Sequence, residues 1–201
     1  MNTLKAEKRT MDVKAKKLRR EGFVTGVVYG REMKETIPLK MAKADVERLA
    51  KDSGKGSRII LDVEGEKINA LIKEVDYNPM KGQIMEMDFQ ALVSGEKVHS
   101  VAEIHLLHHD KVTTGVLQQL MKEIPYKALP AALVEKIEID VSDLHVGDSV
   151  KVRDLAIASD KDVELAVDPD AVVVTVSPVR NADIPEEESA AEDGKKTEAA
   201  K

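Results

Sequence analysis

The chain has 201 residues, 42% hydrophobic but only 2% aromatic, with no Cys and a net charge of −6. That length allows one large or two small domains around an aliphatic, Met-containing core, and the lack of Cys excludes disulfides, thiolate metal sites and a Cys nucleophile. No apolar run approaches the roughly 18 residues of a membrane helix, and the N-terminus has cations without the apolar stretch of a secretory signal, so a cytoplasmic protein without a membrane partner is expected.

The charge is unevenly spread. Residues 1–92 hold 19 Lys/Arg against 15 Asp/Glu, and residues 93–201 hold 12 against 22. Between Lys5 and Arg31, nine Lys/Arg face three acids. A local excess of +6 in an acidic chain asks for a polyanion, although a solvated lysine-rich face would have the same composition.

In chain order, Thr3 to Lys8 reads as a weak first strand. Met11, Ala15 and Leu18 then share one face of a short helix, with basic residues from Lys14 to Arg20 around the rest and Gly22 as its stop. Val24 to Tyr29 is a strand ended by Gly30. Ile37-Pro38-Leu39 is a short strand, placed at an edge by its Pro. Ala42 to Asp52 is an amphipathic helix. Ser57 to Val63 and Lys67 to Tyr77 form a hairpin about Glu64-Gly65. Asn78 to Gly82 turns into a strand from Gln83 to Gln90, with Met85, Met87 and Phe89 on one face and Ile84, Glu86 and Asp88 on the other.

After Ala91 strand signals dominate: Lys97 to Leu107, Ile124 to Leu129, Lys136 to Val141, Ser149 to Val152 and Ala171 to Val176. Gly115 to Met121 is ambiguous between strand and helix. The expected architecture is a mixed α/β domain over 1–92 (a small barrel-like sheet with two helices), an all-β domain over 93–180, and a disordered acidic tail over 181–201. The tail has seven acids, three Lys and almost nothing to bury.

Several stretches carry a resemblance. Leu18-Arg19-Arg20-Glu21-Gly22 followed by Val24-Thr25-Gly26-Val27-Val28-Tyr29-Gly30 resembles the start of the bacterial large-subunit ribosomal protein "L twenty-five" family. The segment from Lys73 to Gly82, closing in Met87-Asp88-Phe89, is similar to the end of that family's RNA-binding domain. Gly115 to Gln119, Ala128-Leu129-Pro130, Ile139-Asp140-Val141, Val146 to Ser149 and Val152 to Leu155 match, in order, the C-terminal domain of its long form, the general stress protein Ctc. The resemblance implies a non-enzymatic constituent of the large ribosomal subunit that binds 5S rRNA at the central protuberance, beside neighbouring ribosomal proteins. Arg9, Lys14, Lys17, Arg19 and Arg20 would neutralise phosphates, Tyr29 would pack against RNA, and Asp88 would accept hydrogen bonds in a minor groove. Gly30, Arg31, Lys73, Tyr77 and Lys81 complete the implied RNA surface. Two residues depart from the family pattern: Thr25 stands where Pro is usual, and Glu86 stands where His is frequent and adds phosphate repulsion.

No catalytic, cofactor or small-molecule chemistry is expected. Ser53-Gly54-Lys55-Gly56-Ser57 lacks the spacing of a phosphate loop and follows a helix instead of a strand. His105, His108, His109 and Asp110 have no matching ligand group elsewhere for a metal. Two other readings remain: a stress-induced factor that joins ribosomes conditionally through a protein-binding β-domain, and an enzyme sited in the acidic β-domain.

Overall fold

Two-residue alternation, clearest in three of its strands, builds the first unit. In β1 (Thr3–Lys8) Leu4 and Ala6 are buried; in β4 (Arg58–Val63) Ile59, Leu61 and Val63; in β6 (Gln83–Ala91) Met87 and Phe89. Side chains that alternate in this way give each strand one apolar face, and six such strands can close around those faces. The computed structural model describes residues 2–33, 35–111 and 115–178. In it β1, β2 (Phe23–Tyr29), β3 (Ile37–Ala42), β4, β5 (Glu66–Asn78) and β6 form a closed barrel in the order β1-β3-β2-β6-β5-β4. Closure comes from the chain's first strand, which runs antiparallel to β3 and parallel to β4. Two helices, α1 (Ala15–Arg20) and α2 (Lys43–Asp52), lie against the barrel. α2 buries Val46 and Leu49 in the barrel core.

The hairpin between β4 and β5 turns in two residues. Glu64 has φ 54° and Gly65 φ 96°, and Asp62 accepts a hydrogen bond from the Gly65 N–H at 2.9 Å. Positive φ at both central residues matches the right-handed twist of the flanking strands.

Two expectations are corrected. Met11 is not on the helix: α1 begins at Ala15, and Met11 is 72% exposed in the preceding turn. Leu18 is the helix's one buried residue. Nor is β3 an edge strand, since β1 flanks it on one side and β2 on the other. Its Pro38 is tolerated because β1 has run out beside it. The β1–β3 register ends at Lys8↔Leu39, and the Pro38 carbonyl accepts from the Arg9 N–H at 2.8 Å. Carbonyl and ring nitrogen of one antiparallel residue face the same side, so the missing donor faces the end of a ladder.

The second unit is built from strands in two sheets. One has the order β10-β7-β9-β12, from β7 (Val98–Leu107), β9 (Glu123–Ala128), β10 (Lys136–Asp140) and β12 (Val163–Leu165). The other is β11-β13-β8, from β8 (Val116–Gln119), β11 (Ser149–Lys151) and β13 (Val172–Ser177). The ambiguous Gly115–Met121 segment is therefore a strand over Val116–Gln119. The two sheets share one core that includes Ile124, Tyr126, Val141 and Val173. Tyr126 is buried, and its hydroxyl donates to the Val134 carbonyl and accepts from the Val134 N–H, both at 2.8 Å. The acidic tail expected over 181–201 lies outside the described residues.

The barrel meets the second unit through polar contacts. Lys55 pairs with Glu123 at 3.0 Å, Arg58 donates to the Pro130 carbonyl at 3.1 Å, and Lys73 donates to the His99 carbonyl at 2.8 Å.

Candidate nucleic-acid interface

The basic helix is short, and one residue locks its position. Leu18 is buried, and Gly22, at φ +89°, turns the chain directly into β2. The sequence offers α1 no side-chain N-cap, and Lys14 occupies that place. Arg19 supplies the missing constraint. Its Nε donates to the Met85 carbonyl at 3.0 Å, and its Nη2 reaches the Thr25 hydroxyl at 3.2 Å and the Glu86 carboxylate at 3.4 Å. Thr25 and Glu86 face each other across the parallel β2–β6 ladder. A planar guanidinium spans both strands, which a single ammonium cannot do.

The five cations expected to meet phosphate therefore divide. Lys14, Lys17 and Arg20 are exposed. Arg19 is only 26% exposed and bonded within the fold. Arg9 is half-buried, and its Nη2 donates to the Val13 carbonyl at 2.9 Å, bracing the turn before α1. Lys16, which the expected set left out, is exposed on the same helix.

Beside the helix lies a row of acids. Glu74 and Asp76 on β5 stand opposite Asp88 and Glu86 on β6, and the four line a shallow depression of about 320 Å³. Like charges placed directly opposite each other repel. Asp88 is half-buried and accepts a hydrogen bond from the Val27 N–H at 3.2 Å. Burial, and then the Glu86 charge, raise its pKa above the ordinary 3.8, while the Val27 bond acts the other way. The Tyr29 hydroxyl is pushed up by burial and by the charges of Asp88 and Glu74. Gly30 lets β2 pass close to β6: a Cβ there would lie 2.8 Å from that of Ala91.

β6 orders the whole surface. Arg19 of the helix touches Met85 and Glu86, Asp88 sits two residues on, and Tyr29 pairs with Gln90. At about 3.3 Å per residue, helix, carboxylate and tyrosine occupy a band about 17 Å long. Tyr77, exposed and paired with Ile84, and Lys81, exposed in the turn, extend the band at the hairpin tip. Arg31, at the other end, is paired with Glu96 at 2.7 Å. Lys73 does not join the band. It faces the second unit, where burial, and then nearby Lys55, lower its pKa.

The sequence reading missed Thr25 as a contact. A Thr within an otherwise apolar strand, shortly after an Arg-Arg pair, is the only local signal for it; its ladder partner Glu86 lies 61 residues away along the chain.

Comparison with known proteins supplies the remaining observations. The family model described as "Ribosomal L25p family" matches residues 4–89, and that described as "Ribosomal protein TL5, C-terminal domain" matches residues 97–180. A large ribosomal subunit protein bL25 from Bacillus pumilus (strain SAFR-032) is 33% identical over 206 residues, covering 100% of this chain and 97% of the relative. A protein of the same name from Halothermothrix orenii is 36% identical over 200 residues, covering 94% and 87%. Another, from Halalkalibacterium halodurans, is 32% identical over 197 residues, covering 95% and 90%. With both models matched in order and these relatives aligned over most of their length, the chain belongs to the ribosomal L25p family, in its long two-domain form.

Proposed function

We propose that this protein is a structural, non-enzymatic constituent of the large ribosomal subunit whose barrel, within residues 1–92, binds 5S rRNA at the central protuberance. It works in the cytoplasm as part of the ribosome. The observation that carries the reading is the juxtaposition, along β6, of an exposed cationic helix with the half-buried carboxylate of Asp88 and with Tyr29. Lys14, Lys16, Lys17 and Arg20 supply charge to phosphates, with Lys81 at the hairpin tip. Asp88 keeps one carboxylate oxygen beyond its bond to Val27, and that oxygen accepts from base edges or 2′-hydroxyls in the wide minor groove of RNA. Phosphate repulsion from the acid row restricts the RNA to one alignment, with backbone over the helix and groove over Asp88. Arg19 and Arg9 serve by holding the helix. The second unit turns its acidic surface away from RNA, toward neighbouring ribosomal proteins.

The test is a titration of the full chain against purified 5S rRNA, with a footprint on the same RNA. Specific protection of one helical segment, with affinity falling steeply with salt, is expected. Equal affinity for an unrelated structured RNA of the same length would refute the assignment to 5S rRNA.

A further inference from the structure

The second unit has a strand edge that no described residue covers. β10 pairs with β7 alone, in parallel, and is the end strand of its sheet. Two backbone bonds bracket that ladder: the Glu103 N–H donates to the Glu135 carbonyl, and the Val141 N–H to the Leu107 carbonyl, both at 3.2 Å. Parallel pairing alternates direction residue by residue. The odd-numbered residues of β10 therefore point their backbone groups at β7. Lys136, Glu138 and Asp140 point theirs outward.

A groove of about 530 Å³ runs along this strand, between it and the turns over Val152–Asp154 and Ala156–Ser159. All five residues of β10 line it. Successive strand residues face opposite sides, so a groove lined by all five lies along the edge and not on a face. Its far wall is apolar, with Val150, Leu155 and Ile157. Its charged residues are Glu138, Asp140, Asp154 and Asp160 against the single Lys136.

We infer that this groove takes an extended basic segment of a neighbouring protein, added to β10 as a further strand. Three residues with outward backbone groups supply the ladder, the apolar wall takes alternate side chains, and the acidic rim selects Lys and Arg. The rim's charge excludes nucleic acid. It also disfavours the chain's own tail, in which residues 181–201 carry seven acids and three Lys.

The probe is a labelled hexapeptide, Lys-Val-Arg-Ile-Lys-Val, titrated into the full chain by fluorescence anisotropy, with Glu-Val-Glu-Ile-Glu-Val as the opposite-charge control. The basic peptide is expected to bind and to shift the amide resonances of Lys136, Glu138 and Asp140, and the acidic one to do neither. Glu138 has no side-chain partner among the described residues, so Glu138→Lys leaves the fold intact and is expected to weaken the basic peptide roughly fivefold. Glu138→Pro removes one outward N–H without touching the β7 ladder, and is expected to abolish binding while the thermal transition persists. Equal binding of both peptides, or unchanged affinity in both variants, would overturn the inference. So would binding that appears only after residues 181–201 are deleted, because the tail would then be the occupant.

Discussion

Replacing Arg19 and Arg20 one at a time separates scaffold from contact, because the two neighbours have the same charge and opposite surroundings. Arg19→Ala removes bonds to the Met85 carbonyl, the Thr25 hydroxyl and Glu86. Hydrogen bonds from a charged donor contribute roughly 1.5–3 kcal/mol each, and a part-exposed ion pair below about 1 kcal/mol. The three share one guanidinium and do not add, so a loss of about 3 kcal/mol is expected. Arg20 is exposed and has no bonded partner among the described residues. Arg20→Ala should leave stability within about 0.5 kcal/mol and lower the slope of log affinity against log salt by roughly 0.7–0.9. Urea unfolding and 5S rRNA titration over a salt series read the two quantities. Arg19→Lys sharpens the contrast: it keeps the charge but cannot span Met85, Thr25 and Glu86, and should lose most of the same stability. If Arg19→Lys is as stable as the parent, or if Arg19→Ala changes only the salt slope, the guanidinium is a phosphate ligand and the argument fails.

Asp88→Ala is expected to weaken 5S rRNA binding about tenfold, the scale of one hydrogen bond to a charged acceptor, roughly 1.5–3 kcal/mol; parental affinity at fixed salt would remove Asp88 from the interface. Because its folded pKa is raised, Asp88 takes up a proton in the fold before it does in the unfolded chain. Its contribution to stability therefore grows as pH falls from neutrality through the raised value toward 3.8, and Asp88→Asn should lack that segment of the stability–pH curve. Asp140 behaves oppositely. Bonds from Ser142, and then His108, lower its pKa to about 2, so its contribution is present above the ordinary 3.8 and lost as pH falls from there to about 2; acid titration of Asp140→Asn, followed through the second unit's Tyr126, should miss that loss. Gly26→Ala would put a Cβ 2.0 Å from the Met87 carbonyl and is expected to prevent barrel folding, judged by circular dichroism. Gly65→Ala, at φ +96° with nothing within 4 Å, should cost only about 1–2 kcal/mol.

Most of the barrel was legible because its signal is local. Ile59-Leu61-Val63 and Met87-Phe89 alternate wherever they are read, and Glu64-Gly65 marks its own turn. Misreadings occurred where a contact decides that residue type and spacing do not announce. Met11 fits a helical wheel, yet the carbonyl of Val13 is taken by Arg9 and the helix starts two residues later. Pro38 marks an edge only if the neighbouring strand continues past it. The three-residue strand β12 is too short to show a period. In the candidate interface, charge located the helix but could not say which cations are free. That depends on Met85 and Glu86 for Arg19, and on His99 for Lys73. Thr25 and Glu86, which the sequence reading takes as departures from the pattern of the family it resembles, are the two side chains that grip Arg19.

The long span of that grip has a consequence during synthesis. Arg19 and its partners Met85 and Glu86 are separated by 66 and 67 residues. At about 5–20 residues per second, the ribosome makes the cationic helix several seconds before the strand that anchors it. The first strand waits too, since its parallel partners are Ile60 to Val63. A nascent chain thus exposes loose positive charge that cannot yet present an ordered surface. The fixed arrangement of helix and Asp88 is completed only when β6 has left the exit tunnel.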